Sequence, residues 1–189
     1  IREGGGLSIY CHPYWVFENR YNVSLNLNNY IYHKQPFAAY EIIGGFYLYE
    51  AESNLLQVAY YNEERARGKE MSIVGVSDAH GCDSGELFGW YYTVVLASEL
   101  TLPSLIEGIK NFKSVAVEAL PGNPVRVHGP YRLVKYVSFL IREIFPVHDE
   151  LCYEEGKLML RYLAGDKEAA NILETYKGRV ERKMNTYWG

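Results

Sequence analysis

Three short apolar runs, each ending abruptly at a polar turn, constrain this chain more than any other feature. Residues 7–11 (LSIYC) halt at His12-Pro13, residues 37–43 (FAAYEII) at Gly44-Gly45, and residues 72–77 (SIVGVS) at Asp78-Ala79-His80-Gly81. Apolar runs of this length, bounded by Gly, Pro or Asp, read as buried strands. Between the second and third, residues 54–67 carry Leu55, Leu56, Val58 and Ala59 at helical spacing and finish in Arg67-Gly68, a basic last turn with a glycine stop. A fourth strand is expected over residues 90–97 (WYYTVVLA). A helix over residues 105–111, opened by Thr101-Leu102-Pro103-Ser104, and a fifth strand over residues 114–118 follow. Strand and helix thus alternate through roughly the first 120 residues, the pattern of a parallel sheet with crossover helices.

Beyond Tyr131 the alternation stops. Residues 132–145, 149–164 and 167–184 show amphipathic helical spacing with joints at Pro146 and Gly165-Asp166. The expected organisation is an α/β portion over residues 1–128 and a helical extension over residues 129–189. Residues 14–35, rich in Asn and Tyr and without clear periodicity, read as a long loop holding a short helix. An eight-strand α/β barrel typically takes about 250 residues, so about five strands cannot close one here. The chain opens on Ile1 rather than Met, and the expectation is that residues upstream of it have been removed.

Composition removes several function classes. Nineteen basic against 23 acidic side chains give a net charge of −4, with no dense Lys/Arg stripe, so a nucleic-acid partner is not expected. No apolar run approaches the roughly 18 residues of a membrane span. Cys11, Cys82 and Cys152 form no CxxC pattern and fit free thiols in a reducing compartment, the cytoplasm. The 18 tyrosines are compatible with a core, an interface or a sugar site alike.

The chemistry concentrates at the polar stops. Alternation along a strand sends Asp78 and His80 to one side and Ala79 to the other. A carboxylate and an imidazole together suit zinc, manganese or iron; the competing reading is a loop Asp capping a turn beside a solvated His. His12 ends another buried strand, and parallel strand ends open onto one rim, so His12 is expected to meet Asp78 and His80. Cys11 is expected to point away, as a core thiol. Glu41 lies inside an apolar strand, where a carboxylate needs a partner, and is expected either to hold a ligand in place by hydrogen bonding or to make a structural hydrogen bond, rather than to bind metal itself. Arg126 and His128 follow the Pro-Gly turn and either grip an anionic oxygen at the same rim or form a solvated turn. His33 and His148 read as surface residues, and Cys82 lies close to the Asp78–His80 turn in sequence. There is no GxSxG, P-loop, HExxH, or GxGxxG after a strand.

In its His12-Pro13 strand end, its Tyr40-Glu41-Ile42 strand and above all residues 73–80 (IVGVSDAH), the chain resembles the polymerase and histidinol phosphatase (PHP) family of metal-dependent phosphoesterases. The helix over residues 105–110 (LIEGIK) and the strand from Ser114 sit where that family places them, and the likeness covers roughly residues 5–128. The resemblance implies an incomplete, distorted TIM-like (β/α) barrel with two or three divalent metal ions at its C-terminal rim in the full-length protein. A bridging hydroxide would attack phosphorus in a small phosphorylated metabolite. His12, Asp78 and His80 would be metal ligands, and Asp78 would be essential to turnover. The family also uses an upstream HxH strand and an upstream Glu, neither of which occurs in these residues. The chain is therefore expected to be the C-terminal part of the domain and inactive alone. The rival of a different class is a non-catalytic ligand-binding or assembly module whose Tyr14, Tyr21, Tyr30 and Tyr32 hold a ligand or partner. A third option is hydrolysis of a non-phosphate substrate such as an amide. An unpaired sheet edge or a bared barrel interior is expected to favour a homo-oligomer.

Overall fold

A computed structural model describes residues 1, 3–45, 51–81 and 87–188. Among these it shows a mixed α/β chain of eight strands and seven helices. The chain divides into two compact units, Ile1–Val134 and Lys135–Gly189.

In the first unit, β1 (Ile9–Tyr10), β4 (Ala39–Gly44) and β5 (Ile73–Val76) form a parallel sheet in the order β1-β4-β5. All of β4 is buried, as a central parallel strand should be. The edge strand β1 is only two residues long, and its Ile9 is 37% exposed, so the buried strand expected over residues 7–11 is in fact a short, half-exposed edge. Between Glu41 and Ile43 the pairing with β5 shifts register, a bulge just before β4 ends.

The second half of this unit departs from the all-parallel expectation. There, β6 (Tyr91–Val95), β7 (Ser114–Glu118) and β8 (Arg126–His128) form an antiparallel sheet in the order β6-β7-β8. The turn through residues 121–124 brings β8 back beside β7 as a hairpin, where alternation alone suggested only a loop. The two sheets meet along β5. Thr93 Oγ1 donates to Gly75 O at 2.8 Å and accepts from Gly75 N at 3.0 Å, and Ser114 Oγ donates to Ile73 O at 2.7 Å. Gly75 permits that approach, because a Cβ there would lie 2.8 Å from Tyr92 O and 3.1 Å from Ala116 Cβ. No closed barrel is present among the described residues.

Residues 14–35 hold the helix expected within them, but the rest is more than loop. They hold a two-stranded antiparallel ribbon, β2 (Val16–Phe17) with β3 (Arg20–Tyr21), then α1 (Leu25–Lys34). Ser24 caps α1 by accepting from Leu27 N at 3.3 Å. The helix buries Asn28 and Tyr32, four residues apart on one face. Tyr32 stacks on Tyr60 at 4.1 Å between ring centroids and meets Tyr40 edge-on at 5.3 Å, so part of the tyrosine excess is core. Tyr14 is buried as well, whereas Tyr21 and Tyr30 are exposed.

Helix α2 (Ala51–Ala66) buries polar residues more than its apolar ones. Leu55 is 69% exposed, while Ser53, Asn54, Gln57, Tyr61 and Glu64 are buried. These polar groups are tolerable inside because they are bonded. Asn54 grips the Gly44 backbone at both ends, accepting from its N at 3.0 Å and donating to its O at 2.8 Å, and Gln57 donates to Ile42 O at 3.2 Å. Burial opposes ionisation of Glu64, yet hydrogen bonds from Lys69 and Arg67 outweigh it and hold the carboxyl below its ordinary range. Helix α3 (Leu102–Lys110) starts as its sequence dictates, with Thr101 as N-cap and Pro103 in the first turn.

The boundary helix α4 (Tyr131–Glu143) leads into the second unit, which holds α5 (Phe145–Leu163), α6 (Glu168–Tyr176) and α7 (Arg179–Trp188). Pro146 lies within the first turn of α5 instead of at a joint, since its missing N–H costs nothing there. The single helix expected over residues 167–184 is broken at Gly178, whose φ of +73° stops α6 from running on into α7. Within this unit Phe139 packs edge-on against Tyr187 and Trp188, and Tyr187 donates to Glu143 Oε2 at 2.7 Å. No helix among the described residues is long and apolar enough to cross a membrane.

Candidate functional site

Because β1, β4 and β5 run parallel, their C-terminal ends open onto one rim. A cavity of about 460 Å³ lies there, and His12, Glu41, Asp78 and His80 all line it, with Trp15 and the α2 residues Asn54 and Gln57. Side chains more than sixty positions apart in sequence therefore share one concavity. The route differs from the one expected. Strand β5 ends at Val76, so alternation does not carry Asp78 and His80 to one side. A turn does so, with Ser77 Oγ accepting from Ala79 N at 3.3 Å and His80 Nδ1 2.7 Å from the Asp78 carbonyl oxygen. A carbonyl only accepts, so Nδ1 carries the hydrogen and the neutral ring presents its lone pair at Nε2, the arrangement found in metal-ligating histidines.

His12 and Asp78 both adopt left-handed backbone conformations, with φ of +32° and +55°. Few non-glycine residues do so, although Asp and His are among the more tolerant. Two such positions flanking β4 at one rim mark the place where the sheet stops and side chains are re-aimed. Trp15 N donates to His12 O at 3.1 Å, closing the turn, and the Trp15 ring stands 5.8 Å from the His12 ring. Asp78 and His80 are exposed, as is His12, whereas Glu41 is 3% exposed.

Cys11 corrects one expectation. It lies beyond the end of β1, so strand alternation no longer sends it to the opposite face. Its thiol donates to Ile9 O at 3.7 Å. Partial desolvation first, then the nearby Glu41 and Asp78 carboxylates, push its pKa up to about 11, so Cys11 stays a thiol at neutral pH. The α2 amides and Trp15 were also missed. Their signal was available as polar residues Ser53, Gln57 and Glu64 at helical spacing on one face of α2.

Arg126 and His128 lie elsewhere. Register places Arg126 opposite Glu118, with Nη1 3.5 Å from Oε1, and His128 Nε2 is 4.0 Å from Glu118 Oε2. Neither lines the cavity. His33 and His148 are exposed, as expected. Cys82 falls outside the described residues.

The donor types around the cavity suit a divalent ion, one carboxylate with imidazole nitrogens. Among the described residues, however, no three His, Cys, Asp or Glu side chains stand close enough together to hold one. The donors ring the concavity without converging on a point. An α/β chain with a rim cavity at parallel strand ends is the class this fold and site define. Compared with known proteins, the chain matches no family model, no curated protein and no solved structure.

Proposed function

We propose that this chain is the C-terminal part of a metal-dependent phosphoesterase of PHP type, acting on a small phosphorylated metabolite, with its strands belonging to an incomplete, distorted TIM-like barrel. The observation that carries the reading is the shared cavity, in which His12, Asp78 and His80 surround one space at the ends of parallel strands. Asp78 supplies a carboxylate oxygen and His80 an Nε2 lone pair whose direction the Asp78 carbonyl sets. His12 faces them from the far side of β4. Exposed on the rim, these side chains are able to swing inward at small cost. Glu41 is buried behind them, and after desolvation its charge adds to the forces that keep the Cys11 thiol protonated.

Divalent ions, two or three of them zinc, manganese or iron in the full-length protein, would polarise phosphoryl oxygens and acidify water. The reading requires further ligands beyond those of this chain, so the chain alone is inactive on it. The free thiols of Cys11 and Cys152 accord with a reducing compartment such as the cytoplasm. In the full-length protein, hydrolysis of a chromogenic phosphate ester with Mn²⁺ or Zn²⁺ is expected to be lost in Asp78→Asn. In the isolated chain, calorimetric affinity for the same ions is expected to fall at least about tenfold in that variant. Equal turnover, or equal affinity, would remove the assignment.

A second reading is ligand binding without catalysis in the rim cavity of about 460 Å³. Of the four tyrosines assigned to such a role, Tyr14 and Tyr32 are buried in the aromatic core and only Tyr21 and Tyr30 face solvent. A chain that binds a phosphorylated ligand with no metal, equally in wild type and Asp78→Asn, would favour it.

A further inference from the structure

Helix α5 is apolar on two opposite faces. Leu158 is buried and Leu151, seven residues earlier on the same side, is half-buried. On the other side Tyr153, Met159, Leu160 and Leu163 are exposed, the last two by 70% and 80%. Tyr153, Gly156, Leu160 and Leu163 follow one another at intervals of three, four and three residues, the spacing of a seam between two helices. A helix face that ends in water is ordinarily polar. Gly156 lies in the middle of this one. Glycine weakens a helix interior, yet among the described residues a Cβ there would meet no atom within 4 Å beyond the helix's own backbone. Nothing in the second unit calls for the missing side chain. A second helix crossing at that point does, because a bare Cα lets two helix axes approach.

The charges on α5 say what that second helix is. Asp149, Glu150, Glu154 and Glu155 all precede Gly156, and Lys157 and Arg161 follow it. No acidic residue falls in the first turn, so the helix dipole does not account for the division. Glu150, Glu154, Lys157 and Arg161 share one flank of the exposed face, four, three and four residues apart. Two such helices running antiparallel set Glu150 and Glu154 of each beside Arg161 and Lys157 of the other, whereas a parallel pair sets like against like. The flank is ordered in advance. Lys157 Nζ is 2.9 Å from Glu154 Oε1 and 4.0 Å from the centroid of the Tyr153 ring, and Arg161 is held by Asp166 at 2.6 Å.

We propose that this face of α5 binds the same face of a second copy of the chain, the two helices antiparallel and crossing at Gly156. Tyr153, Met159, Leu160 and Leu163 of both copies leave water, and two-fold symmetry makes every contact occur twice. One helix of 19 residues is about 28 Å long. The area it covers is at the low end for protein pairs, so the dimer is weak and reversible.

Sedimentation equilibrium of the intact chain over a concentration series tests this. A monomer–dimer equilibrium is expected. Leu160→Glu, at an exposed side chain, is expected to weaken it at least about tenfold while circular dichroism keeps its helical signal. Glu150→Lys sets a lysine beside the second copy's Arg161 and is expected to weaken it about threefold. Glu150→Lys combined with Arg161→Glu is expected to restore most of that loss, because the pair is remade with its signs exchanged. This recovery separates pairing through α5 from association through a sheet edge of the first unit, which neither substitution touches. A chain that stays monomeric throughout the series, a dimer indifferent to Leu160→Glu, or a double variant no tighter than Glu150→Lys alone would overturn the proposal.

Discussion

The parallel and antiparallel sheets of the first unit share a seam at β5 but hold themselves together differently. The antiparallel sheet is carried by its own ladder, with five unbroken pairs between β6 and β7 and three between β7 and β8. The parallel sheet has two pairs between β1 and β4 and a bulge between β4 and β5. There the backbone of β4 is completed by side chains of α2, with Asn54 and Gln57 bonded to Gly44 and Ile42. The candidate site lies where the ladder runs out, and Arg126 and His128 lie where it does not. A sheet end finished by side chains leaves a polar, shapeable concavity, whereas one finished by backbone pairing leaves a surface of cross-strand pairs.

Breaking the seam should have the largest effect, since both sheets lean on it. In Gly75→Ala the new methyl meets the Tyr92 carbonyl oxygen at 2.8 Å and Ala116 Cβ at 3.1 Å, both on the opposing sheet. A loss of about 2–3 kcal/mol is expected in urea denaturation, the scale of overpacking a rigid interior. A change below about 0.5 kcal/mol, the range of an ordinary surface substitution, would mean that the sheets do not meet as closely as described.

The next test separates the two styles of support. Asn54→Ala strips both bonds from the Gly44 backbone and leaves that N–H and C=O buried without their partner, at an expected cost of about 2 kcal/mol. The same substitution should loosen the rim cavity that Asn54 lines, so hydrogen exchange should quicken in β4 more than in β7. Uniform quickening across both sheets would erase the distinction drawn between them.

The same contrast explains what could be read in the sequence. The residue range 114–118 expected for the fifth strand is β7 itself, and the Thr101–Pro103 helix start matches, because local propensity and capping act within a few residues. The buried face of α2 was not legible from its apolar spacing, because the Ser53, Asn54, Gln57 stripe has backbone to bond inside. Strand direction was also out of reach for β6 and β7, since a helix between two strands does not by itself fix their sense. The rim position of Cys11 depended on β1 ending at Tyr10, a boundary that apolar character alone does not set. His12 and the Asp78–His80 turn were legible as strand ends because each is a polar stop directly after an apolar run.

The smallest effect belongs to the antiparallel side and is read by pH. Burial is the main force lowering the His128 pKa; the Glu118 carboxylate opposes it and the Arg126 cation adds to it. A histidine whose folded pKa lies below its unfolded value of about 6.5 binds fewer protons folded than unfolded. Stability is therefore fully present above that unfolded value and declines as pH falls from it toward the folded value. His128→Gln should flatten this decline in denaturation midpoints measured between pH 7.5 and pH 5, values bracketing the roughly 6.5 of unfolded His. Arg126→Ala should make it shallower without abolishing it, since burial remains. At pH 7 the loss of its exposed 3.5 Å pair with Glu118 should itself be worth less than about 0.5 kcal/mol. Were Arg126 instead an anion anchor, Arg126→Ala would weaken binding of inorganic phosphate while leaving the pH slope untouched. The paired geometry with Glu118 predicts the opposite, a changed slope and unchanged phosphate binding.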